Sequence, residues 1–184
     1  MKKIKINELV DRFERDNEIK RLSVKTKDYY KQFITAFISW LPVRIKYSTQ
    51  LTRELFEDYT LYVVRRMLNR ASQNTYLRAV RRLYNFGAEI GVVELHPLKL
   101  PKAERKVKQT FTDTEARRII MSRSIKKPDI IALVLLSTGI RSKTLSSLSV
   151  SDYLKNECAL RLSHLKNGQQ TIIPLYGSVA KKLE

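Results

Sequence analysis

Between Ser72 and Glu89 the chain carries two stripes at once. Tyr76, Val80, Leu83, Tyr84 and Gly87 recur at helical spacing and make one apolar face, while Arg78, Arg81, Arg82 and Asn85 recur at i, i+3, i+4 and i+7 on another. A segment written this way is a helix with one side buried against neighbours and the other left cationic. Solvated charged faces usually mix signs. This one has no acid before Glu89, so it suits a polyanion better than bulk water.

Neighbours for that helix are written upstream. Leu9, Val10 and Phe13 share a side of a helix over residues 7–17. Ser23 is a good N-cap for a second helix, in which Tyr30, Phe33, Ile34, Phe37 and Leu41 fall on one face and Lys27, Lys31 and Thr35 on the opposite one; Pro42 closes it. A third runs from about Leu51 to Leu68 and ends in Arg65, Arg66 and Arg70. Ser72 is the expected cap of the fourth, and Gly91 and Pro97 end the bundle. Residues 1–97 are thus predicted to be a four-helix bundle. Residues 98–110 hold five lysines or arginines against one acid, with no periodicity, and read as a basic linker.

A second domain is expected over residues 111–184. Thr112 and Glu115 have capping-box spacing, with Phe111 a candidate hydrophobic staple and a helix to about Ser122. Pro128 fits the first turn of a helix through Ile130, Ile131, Leu133, Leu135 and Leu136, apolar nearly all round and therefore expected to be buried. Gly139 suits the stop, since the chain can turn left-handed there, and Arg141 emerges just past it. Leu145 and Leu148 continue as a short helix ending near Asp152. Leu160 and Leu162 then alternate with Arg161 and Ser163, Asn167-Gly168 signals a hairpin, and the return strand over 171–175 ends at Pro174. Lys166 is expected at the hairpin tip.

Charge narrows the partners. The 184 residues carry a formal net charge of +18. Residues 1–100 hold 20 basic and 11 acidic side chains and residues 101–184 hold 16 and 7, so the excess is spread rather than kept in a tail. A basic excess in both halves points to a long polyanion touched along the whole chain. No apolar run is long enough to span a bilayer, the basic N-terminus lacks the apolar region of a signal peptide, and the basic faces lie on helices whose other sides are needed for a core. One cysteine, Cys158, excludes an internal disulfide, and with only two isolated histidines a metal site is not expected. The expectation is a cytoplasmic, cofactor-free protein with no membrane partner and no small-molecule substrate.

The order of parts resembles the tyrosine recombinase (phage integrase) family: a basic helical bundle, a Pro-containing linker, a Thr-Asp-Thr-Glu helix start, Thr138-Gly139-Ile140-Arg141, and a lysine-tipped hairpin followed by Ile173-Pro174-Leu175. The resemblance implies a mainly α chain, with an N-terminal four-helix SAM-like core-binding bundle and then the front part of an α+β catalytic domain with a small antiparallel hairpin or sheet. It also implies duplex DNA as partner, tetramers on paired sites for the complete enzyme, and recombination through a phosphotyrosine without metal or cofactor. By position, Arg141 matches the first phosphate-clamping arginine and Lys166 the lysine that protonates the leaving 5′ oxygen. Fixed positive charge on the phosphate oxygens and a nearby acid are what such a centre requires. Lys27, Lys31, Arg78, Arg81, Arg82 and Asn85 would face the DNA.

Three positions depart from the family pattern. Thr144 stands where a carboxylate is usual. No His-x-x-Arg occurs, since His96 is followed by Pro97-Leu98-Lys99 and His164 by Leu165-Lys166-Asn167. The last tyrosine, Tyr176, comes too soon after the hairpin to be the nucleophile, and the nine tyrosines read as packing aromatics. Cooperating active-site groups lose most activity when one is missing. The chain as it stands is therefore expected to bind DNA without cutting it, as a monomer when free. It could be a piece cut inside the catalytic domain, a remnant of a mobile element, or a competitor of a full recombinase. A non-catalytic DNA-binding regulator is the alternative class, and RNA binding fits the charge but not the motif order.

Overall fold

In the computed structural model, which describes residues 1–66, 69–102, 109–121, 126–163 and 169–183, the chain divides into two units, Met1–Lys106 and Val107–Glu184. The first is built from α1 (Ile6–Ile19), α2 (Val24–Trp40), α3 (Arg53–Arg66) and α4 (Arg70–Glu89), with a 3-10 turn over Ser48–Gln50. Ser23 caps α2 as expected, its hydroxyl accepting from the Thr26 amide at 3.3 Å. The cap of α4 is Asn69 and not Ser72: the Asn69 side chain accepts from the Ala71 amide at 2.9 Å. Arg70 and Ala71 are good helix formers and carry the helix back to the earlier cap, leaving Ser72 exposed inside it.

The core follows the sequence stripes. Leu9 and Phe13 of α1, Phe37 of α2, Phe56, Tyr59 and Val63 of α3, and Leu77, Val80, Leu83 and Tyr84 of α4 are buried together. Rings meet edge-on, Phe37 with Tyr59 at 4.8 Å and Phe56 with Tyr84 at 5.6 Å between centroids, an arrangement worth about 0.5–1.5 kcal/mol per pair beyond area burial. The packing runs past Pro97. Leu98 is buried, Leu100 packs on the same core, and the Pro101 carbonyl accepts from the Asn74 side-chain amide at 3.1 Å. The first residues read from sequence as linker thus belong to the bundle, because their alternate leucines have a core to enter. Residues 103–108 of that linker lie outside the described residues.

At the end of α4 the chain folds back over Gly87, whose carbonyl accepts from the Val92 amide at 2.9 Å and the Val93 amide at 3.1 Å. A Cβ on Gly87 would stand 2.9 Å from the Val93 Cβ and closer still to its Cγ2. Gly87→Ala should therefore destabilise the first unit by about 1–3 kcal/mol, the usual range for overpacking, read as a lower urea midpoint at unchanged slope.

The second unit contains α5 (Asp113–Met121), α6 (Lys127–Thr138), α7 (Ser142–Ser146) and α8 (Gly177–Leu183), with strands β1 (Tyr153–Leu154), β2 (Ala159–Leu162) and β3 (Thr171–Pro174) in an antiparallel sheet of order β1-β2-β3. Its core joins Leu133 and Val134 of α6, Leu160 and Leu162 of β2, Leu175, and Val179 and Ala180 of α8. The capping box forms: the Thr112 amide donates to the Glu115 carboxylate at 2.8 Å, and the Glu115 amide donates to the Thr112 hydroxyl at 3.3 Å. The staple does not. Phe111 is 63% exposed, because the position a staple would grip is Ala116, which is too small to hold a ring. Nor is α6 buried all round, since Ile131 is 39% exposed while Leu133 and Val134 are covered. β1 and α8 are additions to the sequence reading.

Burial pushes the Tyr59 and Tyr84 hydroxyls well above the ordinary tyrosine value of 10.0. Among the described residues the buried Tyr84 hydroxyl has no hydrogen-bond partner. A raised value means the folded state holds its proton longer than the unfolded chain does. This contribution is therefore complete below pH 10 and lost as pH rises beyond it. Tyr84→Phe keeps the ring and removes the hydroxyl, so stability at neutral pH should not fall and the alkaline unfolding midpoint should rise, both measurable by circular dichroism.

Candidate nucleic-acid interface

The α4 helix presents its cations on the sector left over by packing. With Leu77, Val80, Leu83 and Tyr84 inward, Arg78 is exposed and Arg81, Arg82 and Asn85 are half-buried along its solvent side. The α2 helix is pinned to the first turns of α4 by the Tyr29 hydroxyl, which donates to the Thr75 carbonyl at 2.7 Å, one residue-turn before Arg78. Burial, then the neighbouring Tyr30, raises the Tyr29 pKa above its ordinary value, and Arg78 pulls it the other way. Sequence reasoning missed this tether, since nothing in a Tyr-Tyr pair marks which ring turns outward.

The six residues singled out on α2 and α4 are not equivalent in the fold. Arg82 donates to Glu89 at 2.7 Å and lies 4.0 Å from Asp16 of α1. Lys27 grips both oxygens of Glu18 of α1 at 2.7 and 2.9 Å. Lys31 is exposed on the rim of a groove between α1 and α2 that Lys27, Glu14, Glu18 and Asp28 also line. Asp16 and Glu18, two residues apart on a helix, point about 160° away from each other. Lys27 and Arg82 therefore meet α1 from opposite flanks. Among the described residues, Arg78, Arg81 and Lys31 have no ion pair.

In the second unit the Thr-Gly-Ile-Arg motif is a helix stop. Gly139 sits at φ 64°, the left-handed cap of α6, with its amide donating to the Leu135 carbonyl at 2.9 Å. The Thr138 hydroxyl donates to the Val134 carbonyl at 2.6 Å, and Ile140 packs on the core. Arg141 follows in extended conformation as the N-cap of α7, with its side chain exposed and its carbonyl accepting from the Leu145 amide at 3.0 Å. Thr144, one turn on, is buried, so its side chain faces the protein interior and the arginine faces out. Such a mount fixes the backbone of a guanidinium that can present two parallel N–H donors to an anion. A Cβ at Gly139 would meet nothing within 4 Å, so Gly139→Ala costs backbone strain alone. We expect about 1 kcal/mol of lost stability in urea unfolding, with the arginine mount loosened rather than the core.

Lys166 and Asn167-Gly168 lie outside the described residues, as does His164. The strands on either side are described. Leu162 pairs with Thr171, Arg161 with Ile172, and Leu160 with Ile173. A two-residue turn at Asn167-Gly168 continuing that ladder would have set Leu162 opposite Ile173, so the register is offset by two from the simplest hairpin. An even offset keeps Leu160 and Leu162 on the core side and Arg161 out, as the alternation required. Among the described residues there is no cluster of His, Cys, Asp or Glu that could hold a metal ion, and no helix long and apolar enough to cross a membrane.

Comparison with solved structures gives the fold, which the chain shares with two integrases. It is similar to the Tn1549 transposon integrase in complex with a circular intermediate DNA, at 12% identity over 97% of this chain and 63% of that one, with a TM-score of 0.73. It is likewise similar to a lambda integrase in a dimer bound to a COC′ core site, at 18% identity over 98% of this chain and 66% of that one, with a TM-score of 0.71. The chain spans just under two thirds of the length of these structures. Residues 9–91, which lie within the first unit, match the model of the phage integrase N-terminal SAM-like domain. No curated protein sequence matches the chain significantly.

Proposed function

We propose that this chain is the DNA-binding portion of a site-specific tyrosine recombinase, holding duplex phosphates on the solvent face of α4. The observation that carries this reading is the pair Arg78 and Arg81, which stand outward without an acid partner among the described residues on a helix of a phage-integrase SAM-like domain. The similar folds of the Tn1549 and lambda integrases, both solved with DNA, support it. Phosphate contacts of this kind position a protein on the duplex and carry no sequence information of their own.

In the reading proposed here, Arg141 clamps a non-bridging oxygen of the cleaved phosphate and Lys166 gives a proton to the leaving 5′ oxygen. Thr144 stands where a carboxylate is usual, and its carbonyl accepts from the Ser147 amide at 3.1 Å. The bundle and the second unit each contact the duplex. The complete enzyme would join strands through a phosphotyrosine in tetramers on paired sites, and this chain alone would be monomeric off DNA.

Arg78 and Arg81 together, each replaced by alanine, should weaken binding to any duplex and reduce the slope of log K against log salt by about 1 per lost contact. Arg82→Ala should do less, because its guanidinium already serves Glu89 and Asp16. Equal affinity of the double variant and the parent for random DNA would remove the α4 assignment. Preference for an inverted-repeat core site over random duplex separates a recombinase portion from a general DNA-binding regulator, which would bind both alike.

A further inference from the structure

The bundle has a second concentration of cations, assembled from two segments about forty residues apart. The N-terminal segment runs antiparallel to the α2–α3 connection, with Lys5 bridged to Tyr47. The Ile6 amide donates to the Lys46 carbonyl at 3.0 Å and the Ser48 amide to the Ile4 carbonyl at 2.9 Å. Ile4 and Ile6 turn into the core, which leaves Lys3 and Lys5 outward with Lys2 beside them. Arg44 and Lys46 stand exposed on the adjoining connection. Lys3 is fixed over the Tyr47 ring, its ammonium 3.9 Å from the ring centre.

Five other cations of this bundle are held by carboxylates. Arg12 holds Glu8, Lys20 holds Asp16, Lys27 holds Glu18, Arg53 holds Glu57 and Arg82 holds Glu89. Lys2, Lys3, Lys5, Arg44 and Lys46 have no ion pair among the described residues. Glu8, the acid nearest Lys5 in sequence, is already held by Arg12. Bringing five unpaired cations to one β-bridge is unfavourable in isolation, and a polyanion relieves it. The patch is also tied to the end of α4, where the Lys2 amide donates to the Gly91 carbonyl at 3.3 Å. Gly91 lies thirteen residues beyond Arg78, or about 20 Å along a helical rise.

We infer that this end of the bundle, Lys2, Lys3, Lys5, Arg44 and Lys46, is a second phosphate-contacting patch that lengthens the grip on the same duplex beyond the α4 contacts. The inference rests on the reading of the chain as a DNA-binding portion. It adds a contact surface made by the N-terminal segment and the α2–α3 connection, separate from the α4 face and from Arg141.

The test uses the whole chain, a random duplex of about 30 base pairs, and fluorescence anisotropy from about 50 to 200 mM salt. The variants are K3Q/K5Q/R44Q/K46Q and R78A/R81A. Four lost contacts should make the slope of log K against log salt shallower by about 3 to 4 and weaken binding at least about tenfold at the middle of that range. A slope unchanged in the glutamine variant, with R78A/R81A still weakened, overturns the patch and leaves the proposed function standing. Parental binding in both variants overturns the patch and the DNA reading together. An independent readout on the unaltered chain guards against a variant that folds poorly: DNA should protect Lys5 and Lys46 from an amine-acylating reagent, and full reactivity of both in the complex overturns the patch.

Discussion

The first unit depends on one geometric constraint, that α4 must pack against α1, α2 and α3 at once. A helix that spends most of its circumference on three neighbours has a single narrow sector left for water. Leu77, Val80, Leu83 and Tyr84 fix that helix in rotation, each at a cost of several kcal/mol if removed, and so decide where Arg78 and Arg81 point. The direction of the cations is therefore a property of the core. Gly87 tightens the same arrangement, since a side chain there would push the returning Val93 off the helix.

The second constraint is electrostatic. A chain so rich in lysine and arginine cannot satisfy every cation internally, and the fold chooses which ones it does satisfy. The α1 carboxylates Asp16 and Glu18 hold Arg82 and Lys27 from two flanks, so a ligand that uses either cation has to compete with a partner already in place. Surface pairs of this kind are worth about 0–1 kcal/mol, weak enough for a duplex to displace. Arg78, Arg81 and Lys31 ask for no such exchange. Counting basic residues on a helix overstates an interface, and subtracting those that the fold has paired corrects it.

Much of this was legible in the residues. Periodicity placed the four helices and most of their buried faces, Ser23 and Thr112 marked their caps correctly, and Gly139 marked the stop that mounts Arg141. The errors share a cause. Ser72 and Asn69 are both good caps, and only the helix that forms between them decides. Phe111 looked like a staple because its neighbour in space cannot be read from its neighbours in sequence. Leu98 and Leu100 looked like linker because two leucines are too few to show a period. The β1 strand has two residues, below any pattern length, and α8 announces itself only by Val179, Ala180 and Leu183. The convergence of residues 2–5 with 44–47 had no local signal at all, because it is set by where α1 begins and α2 ends.

The way the chain starts has a practical consequence. Ile4 and Ile6 are core residues, and the Lys2 amide is bonded to the carbonyl just beyond α4, so the first six residues are part of the bundle rather than a loose lead-in. A polypeptide fused ahead of Met1 would accordingly be delivered to the end of the bundle where α4 stops, beside the exposed ammonium groups of Lys2, Lys3 and Lys5. An acidic tag placed there would act as a tethered counterion, whereas the same tag on the opposite terminus would be carried by the other unit.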